Sequence, residues 1–354
     1  MFSRNVLQLW LGLTLFQNKN SAFYINNNLK AEAHQTLRHR NQMCYPSPTG
    51  SMNLPQDTPF ELNQTKTSWW CDQRDEYAWL GFSYDVSECP TRPEMIDSFK
   101  WMRNNKKARY IRIYSACDAD SFNDDVIEAA AVAGIGIYAL IWFGFDNDDK
   151  WKGRKDRLLQ AIKANRKAPY VIRAVTCGSE PIFDGVLPIS GLVEQLHDLK
   201  KQLSPLGIKV TLSEMPSAFQ SNNNTPEIFS AVDFLSLHSF AFFDQDATTA
   251  DNASPIVKRD VEYGLQYGKG KKVVLTQTGW PSNADVWKPN SPKAVATIQQ
   301  ESAYFEMLDS LCDYFKSKKI SWFSHIYNDT TLPGWGILDG NGTEKFQFNP
   351  RIQC

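Results

Sequence analysis

The sequence is short of several things that would each have pointed elsewhere. Its charges nearly cancel, with a formal net charge of -1 over 354 residues. It therefore lacks the concentrated basic surface that nucleic acid or an acidic membrane would need as a partner. The short basic run Lys269, Lys271 and Lys272 reads as a solvated turn before a strand. No GxGxxG follows the first strand-like run, where the chain reads Tyr84-Asp85-Val86-Ser87-Glu88-Cys89-Pro90, and no P-loop occurs anywhere. That argues against a nucleotide-binding open sheet. The cysteines show no CxxC spacing and no paired histidine, so neither a metal nor a cofactor is expected. Beyond the first 16 residues no apolar run is long enough to span a bilayer.

Aromatic residues, by contrast, are plentiful: 11 Trp, 13 Tyr and 21 Phe. Flat aromatic faces stack on the apolar faces of sugar rings, so this richness suits a carbohydrate cleft as well as a core. The N-terminus has the form of a signal peptide over residues 1–22. Arg4 supplies the positive region, Val6 to Phe16 is the apolar stretch, and Ser21-Ala22 offers small residues for cleavage. Seven cysteines agree with an oxidising destination. Cys312 could tie the C-terminal tail through Cys354, and Cys44 could pair with Cys71. An odd count leaves a thiol over. Five N-x-S/T sequons, at Asn63, Asn223, Asn252, Asn328 and Asn341, favour a glycosylated secreted protein, soluble or in a cell wall.

Residues 23–78 form an irregular N-terminal segment, polar and Asn-rich at first, with Trp69 and Trp70 read as packing residues. From residue 79 to 354 strand-like apolar runs alternate with amphipathic stretches. The strands predicted are 79–84, 108–115, 135–143, 170–178, 208–213, 232–240, 272–277 and 321–327. Helices are predicted over 91–105, 122–133, 153–165, 189–203, 224–231, 255–268 and 296–318. Eight strands with helices between them match an α/β fold of the closed (β/α)8, or TIM barrel, type. A monomer is expected.

Reactive groups of such barrels sit at the C-terminal ends of the strands. Those ends carry Tyr84 and Asp85; Tyr114, Cys117 and Asp118; Trp142, Phe143 and Asp146; Ser179 and Glu180; Glu214; His238 and Phe240; Gln277 and Trp280; and Asp329 with Trp335. Carboxylates among tryptophans are what cleavage of a glycosidic bond requires. One carboxyl protonates the leaving oxygen, and a second attacks or activates water. Strand parity turns Glu180, Gly178 and Thr176 toward the mouth and Cys177 toward the helices, which makes Cys177 the candidate free thiol.

Gly178-Ser179-Glu180, His238-Ser239-Phe240 and Gln277-Thr278-Gly279-Trp280-Pro281-Ser282 resemble family-17 glycoside hydrolases. These are the β-1,3-glucanases and transglucosylases of plants and fungal cell walls, and the fungal members are the most similar. The resemblance covers about residues 79–350. It implies that Glu180 is the acid/base and that the partner is a β-glucan polysaccharide or oligosaccharide. Tyr84, Trp142, Glu214, His238, Phe240, Trp280, Asp329 and Trp335 are candidates to line the substrate site, and Ser179 stands where the family carries an Asn that contacts the sugar 2-hydroxyl. The family's nucleophile is a Glu two residues before the Gly-Trp pair, and here that residue is Gln277. A carboxamide is neither nucleophile nor base.

Three expectations follow from that change. Glu214 or Asp329 could act as a recruited base, giving an inverting enzyme. An N-acetyl sugar could supply its own nucleophile, with Gln277 orienting the acetamido group. Or the chain is a non-catalytic glucan-binding wall protein that keeps Trp142, Trp280, Trp335 and Phe242 as a platform.

Overall fold

The computed structural model describes residues 44–47, 69–145 and 148–354. The predicted signal peptide, most of the 23–78 segment, the Asn63 sequon and Asp146 lie outside the described residues.

Eight parallel strands close on themselves in chain order: β1 (Ala78–Asp85), β2 (Tyr110–Tyr114), β3 (Gly136–Ile141), β4 (Ile172–Ser179), β5 (Lys209–Glu214), β6 (Leu235–Ser239), β7 (Val273–Thr278) and β8 (Ser321–Ser324). The ring is completed where β8 pairs with β1, Ala78 beside Ser321 and Phe82 beside Ser324. The (β/α)8 expectation is thereby met. Alternation along β2 shows why: Ile111 packs outward with the helices, whereas Tyr110 joins an inner cluster with Leu80, Tyr138, Ala174, Phe234, Val274 and Phe323.

The outer layer comprises α1 (Arg92–Lys106), α2 (Phe122–Ala133), α3 (Lys150–Ala164), α4 (Ala168–Val171), α5 (Ile189–Leu203), α6 (Pro216–Ser221), α7 (Pro226–Ala231), α8 (Ser254–Tyr267), α9 (Ile298–Ser310) and α10 (Cys312–Lys318). Local sequence sets their limits. Thr91 and Glu94 form a capping box at the start of α1, and Gly134 ends α2 in the left-handed region at φ 69°. On α5, Leu192, Leu196, Leu199 and Leu203 form one buried stripe, each worth about 1.5–3 kcal/mol of burial. The helix predicted over 224–231 is α7, and α6, which was not predicted, precedes it across Asn223, Asn224 and Thr225, all with positive φ; the helix predicted over 296–318 is split at Leu311.

A plug floors the N-terminal end of the barrel. Trp70 stacks on Tyr110 with ring centres 6.4 Å apart, and Trp69 donates its indole N–H to the carbonyl of Tyr170 at 2.8 Å. Both tryptophans are packing residues, as read. Beside them Glu76 is fully buried and takes an ion pair from Arg173 at 3.2 Å, with Arg109 at 4.0 Å. Lys272 donates to the backbone carbonyls of Gln73 and Glu76. Disulfides join Cys44 to Cys71, Cys89 to Cys117 and Cys312 to Cys354. Cys177 is free and buried.

Candidate active site

β4 carries its key residue out of the sheet through an irregular exit. Gly178 has φ +88°, and a Cβ there would meet Pro181 at 2.8 Å and Phe143 at 2.9 Å, so only glycine fits. Glu180 itself sits at φ 59°, held by its N–H on the carbonyl of Ser213 at 2.8 Å and by the N–H of Asp184 on its own carbonyl at 2.9 Å. A left-handed glutamate is strained, and such strain persists only where its surroundings over-determine it. Glu214 does much of that. It is fully buried, and its carboxyl accepts the backbone N–H groups of Ile182, Phe183 and Met215 at 2.8, 3.1 and 2.8 Å.

The side chain of Glu180 is a quarter exposed and lies 2.7 Å from Nδ1 of His238. Burial drives His238 below the ordinary histidine range, so the imidazole is neutral. A carboxylate only accepts, so Nδ1 carries the hydrogen and Nε2 is an acceptor without a partner among the described residues. For Glu180, burial pushes the carboxyl up. The His238 hydrogen bond and the Arg112 charge outweigh burial, and its pKa ends below the usual glutamate value. In a paired site a second carboxylate would push the acid/base the other way. Here that push is missing.

The missing group is Gln277. Register shifts between β6 and β7 and between β4 and β5 turn both Ser179 and Gln277 inward, next to Thr276 and Thr176, which strict alternation would not allow. With its carboxamide oxygen facing β2, Gln277 accepts from Nη1 and Nη2 of Arg112, the latter at 3.1 Å. The same Nη2 donates to Ser179 Oγ at 2.8 Å. Arg112 has no exposed surface, and among the described residues its Nε has no partner and no carboxylate reaches it within ion-pair distance. Burial lowers its pKa to about 10, which still leaves it charged. Sequence reading missed this arginine, although the alternation Tyr110, Arg112, Tyr114 places it on the inner face.

Both candidate replacement bases are committed elsewhere. Glu214 clamps the Glu180 loop, and burial raises its pKa to about 8. Asp329 accepts from the N–H of Gly336 through Oδ1 at 2.6 Å and pairs with Lys345 at 3.2 Å, which also pairs with buried Glu301 at 2.7 Å. It organises the loop after β8. Each carboxyl is thus engaged within its own loop. The carboxamide of Gln277 is likewise engaged by Arg112 rather than free for an acetamido group. A further acid unread in the sequence, Asp184, is half-buried in the Glu180 loop; burial and then the Glu180 charge raise it to about 6.

The aromatic candidates divide in two. Trp280 and Phe242 are fully buried, and the indole N–H of Trp280 is spent on the carbonyl of Val295 at 2.8 Å. They are core, not platform. Tyr84 is buried against Phe99 and Tyr327. The others form a continuous row across the mouth: Phe145, Trp142, Tyr114, His325, Phe240, Trp335 and Trp287, each ring centre 5.2–5.5 Å from the next. His325, also missed, is buried and kept neutral by burial, with Nδ1 unpartnered among the described residues. A groove of about 550 Å³ continues from His238 past Phe240, Phe243, Asp244, Arg259 and Asn290. Among the described residues no group of three or more His, Cys, Asp or Glu could hold a metal.

Comparison with known proteins places this geometry. A glucan 1,3-β-glucosidase of Schizosaccharomyces pombe is 22% identical over 253 residues, covering 68% of this chain and 76% of that protein. A probable family 17 glucosidase of Saccharomyces cerevisiae is 26% identical over 175 residues; the match covers 48% of this chain and 43% of the yeast protein. The crystal structure of a glycoside hydrolase family 17 β-1,3-glucanosyltransferase from Rhizomucor miehei superimposes with TM-score 0.63 at 20% identity, over 78% of this chain and 98% of that one. Residues 79–334 match the model of the BtgE/BtgC glycoside hydrolase domain, and with the barrel and its mouth as described the chain belongs to that family.

Proposed function

We propose that this is a secreted or cell-wall β-1,3-glucan-binding protein whose site, as encoded, holds glucan without cleaving it. The observation that carries the reading is Gln277: the nucleophile position bears a carboxamide engaged by Arg112, and the two acids weighed as replacement bases, Glu214 and Asp329, are engaged in loops. Retaining cleavage needs two carboxyls, one of them free to attack. Binding needs less. The half-buried or exposed rings of Tyr114, Trp142, Phe145, Phe240 and Trp287 remain available for sugar faces, while His325 and Trp335 are buried behind them. Glu180 keeps the position of the acid/base and would contact the glycosidic oxygen.

The relatives support the ligand class. The R. miehei enzyme was also crystallised, as an active-site mutant, in complex with laminaritriose. A cell surface mannoprotein of Candida albicans, 23% identical over 141 residues, supports an extracellular or wall setting. Among the described residues no helix is long and apolar enough to cross a membrane.

The test is calorimetric titration of purified protein with laminarin oligosaccharides, together with long incubation and chromatography for products. Binding without products is expected from chains whose residue 277 is verified by mass as Gln. Turnover by such chains that disappears in Glu180→Gln would overturn the reading.

A further inference from the structure

We propose that Gln277 is a self-processing site, its carboxamide hydrolysed inside the folded protein to a glutamate with water as co-reactant and ammonia as the leaving product. The proposal rests on reading residue 277 as the nucleophile position, but its test does not depend on glucan.

Three features of the mouth act on this one amide. First, its oxygen faces two N–H donors of a guanidinium with no exposed surface. Donors fixed on an oxygen that gains charge during attack are the arrangement of an oxyanion hole, and burial strengthens them. Second, a base stands across the mouth. Glu180 is a carboxylate oriented by His238 at 2.7 Å, and its quarter exposure admits water. Contacts run through the cluster: Ser179, next to Glu180, lies 3.4 Å from the carboxamide end that faces Arg112, and His238 is the register partner of Gln277. Third, the product suits the site better than the reactant. A carboxylate at 277 would give Arg112 an ion-pair partner in direct contact, where the described residues now offer only the more distant Glu180 charge.

The step balances without an oxidant or reductant. Glu180 takes a proton from water as the water oxygen bonds to Cδ of Gln277, and the C=O electron pair moves to the oxygen facing Arg112. Collapse of that intermediate breaks the Cδ–Nε2 bond, and the proton held by Glu180 goes to the departing nitrogen. Ammonia leaves and takes up the acid proton as ammonium. The net change is carboxamide plus water to carboxylate plus ammonium.

The experiment is peptide mass mapping of the full chain after incubation in ¹⁸O-labelled water, with the exposed Gln347 as internal control. Residue 277 is expected to turn into labelled Glu on the order of 10²-fold faster in the folded chain than in the urea-unfolded chain, as general base catalysis allows. Gln347 should stay unchanged, and Glu180→Gln should stop the conversion at 277. A residue 277 that remains Gln, or converts equally fast when unfolded, overturns the proposal. Equal conversion in a Glu180→Gln chain with wild-type circular dichroism also overturns it. Laminarin-oligosaccharide binding, measured on the same samples, reports separately on the proposed function.

Discussion

The two ends of this barrel bury arginine in opposite ways. At the floor, Arg109, Arg173 and Lys272 surround a buried carboxylate, Glu76, and their combined charge holds it below the usual glutamate range in spite of burial. At the mouth, Arg112 is equally buried but meets a carboxamide. A buried cation beside a matched anion is tolerable, whereas one beside a neutral group keeps most of its desolvation cost. The floor therefore gives its arginines an ion-pair partner. The mouth is one group away from doing the same, since Gln differs from Glu by an NH2 in place of an oxygen.

Giving the mouth what the floor has is the sharpest way to test that contrast. Gln277→Glu is expected to yield laminarin-oligosaccharide cleavage on the order of 10⁴-fold above the chain verified as Gln277, the scale on which nucleophiles are lost. The measurement is product release, and the gain should vanish when Glu180→Gln is added. Taking the anion from the floor is the converse. Glu76→Gln strands the two buried guanidinium groups of Arg109 and Arg173 and should cost about 3–5 kcal/mol in chemical denaturation. Arg112→Met, which removes a cation with no ion pair, should cost under ~1.5 kcal/mol. If Arg112→Met proved the costlier of the two, the comparison would be reversed.

Glu214 gives a smaller effect with a defined pH dependence. Its folded pKa is about 8, raised by burial above the unfolded glutamate value. Between roughly pH 4.5 and 8 the unfolded chain has lost that proton and the folded chain keeps it. Stability therefore falls as pH rises through this window, by at most about 1.4 kcal/mol per unit from this group, and levels off above it. Glu214→Gln should flatten that slope and lower stability by about 1–3 kcal/mol, because one of the two oxygens that accept from the loop becomes a donor. Denaturation midpoints at pH 5, 6.5 and 8 decide it. Smallest of all, Trp142→Ala should weaken oligosaccharide affinity by about 0.5–1.5 kcal/mol and leave the fold intact.

Much of this was legible in the sequence. Eight apolar runs alternating with helical stretches point to a barrel, and the strand-end rule finds Glu180, Gln277 and His238 together because parallel strands share one C-terminal rim. What the rule does not tell is which way a rim residue bonds. Glu214 and Asp329 stand at the rim yet serve loops, and their partners, the N–H groups of Ile182, Phe183 and Gly336, carry no side-chain signature. Trp280 belongs to the motif that reveals the family but faces core. Arg112 and Glu76 escaped for a different reason. A charged residue inside a barrel contradicts the expectation of apolar interiors, and only contacts across strands distant in sequence show what stabilises it. The β-bulges behind Ser179 and Gln277 are similarly silent, since a register shift belongs to a pair of strands and not to either one.

The closure of the ring through β1 and β8 bears on how the chain reaches this state. Ala78 finds its partner only in Ser321, so no sheet edge is protected until nearly the whole domain has been made. A nascent chain ending before β8 would present β1 and β7 as two unpaired edges, ready to pair with other molecules. The last short strand, four residues long, thus decides whether the other seven exist as a soluble barrel or as material for aggregation.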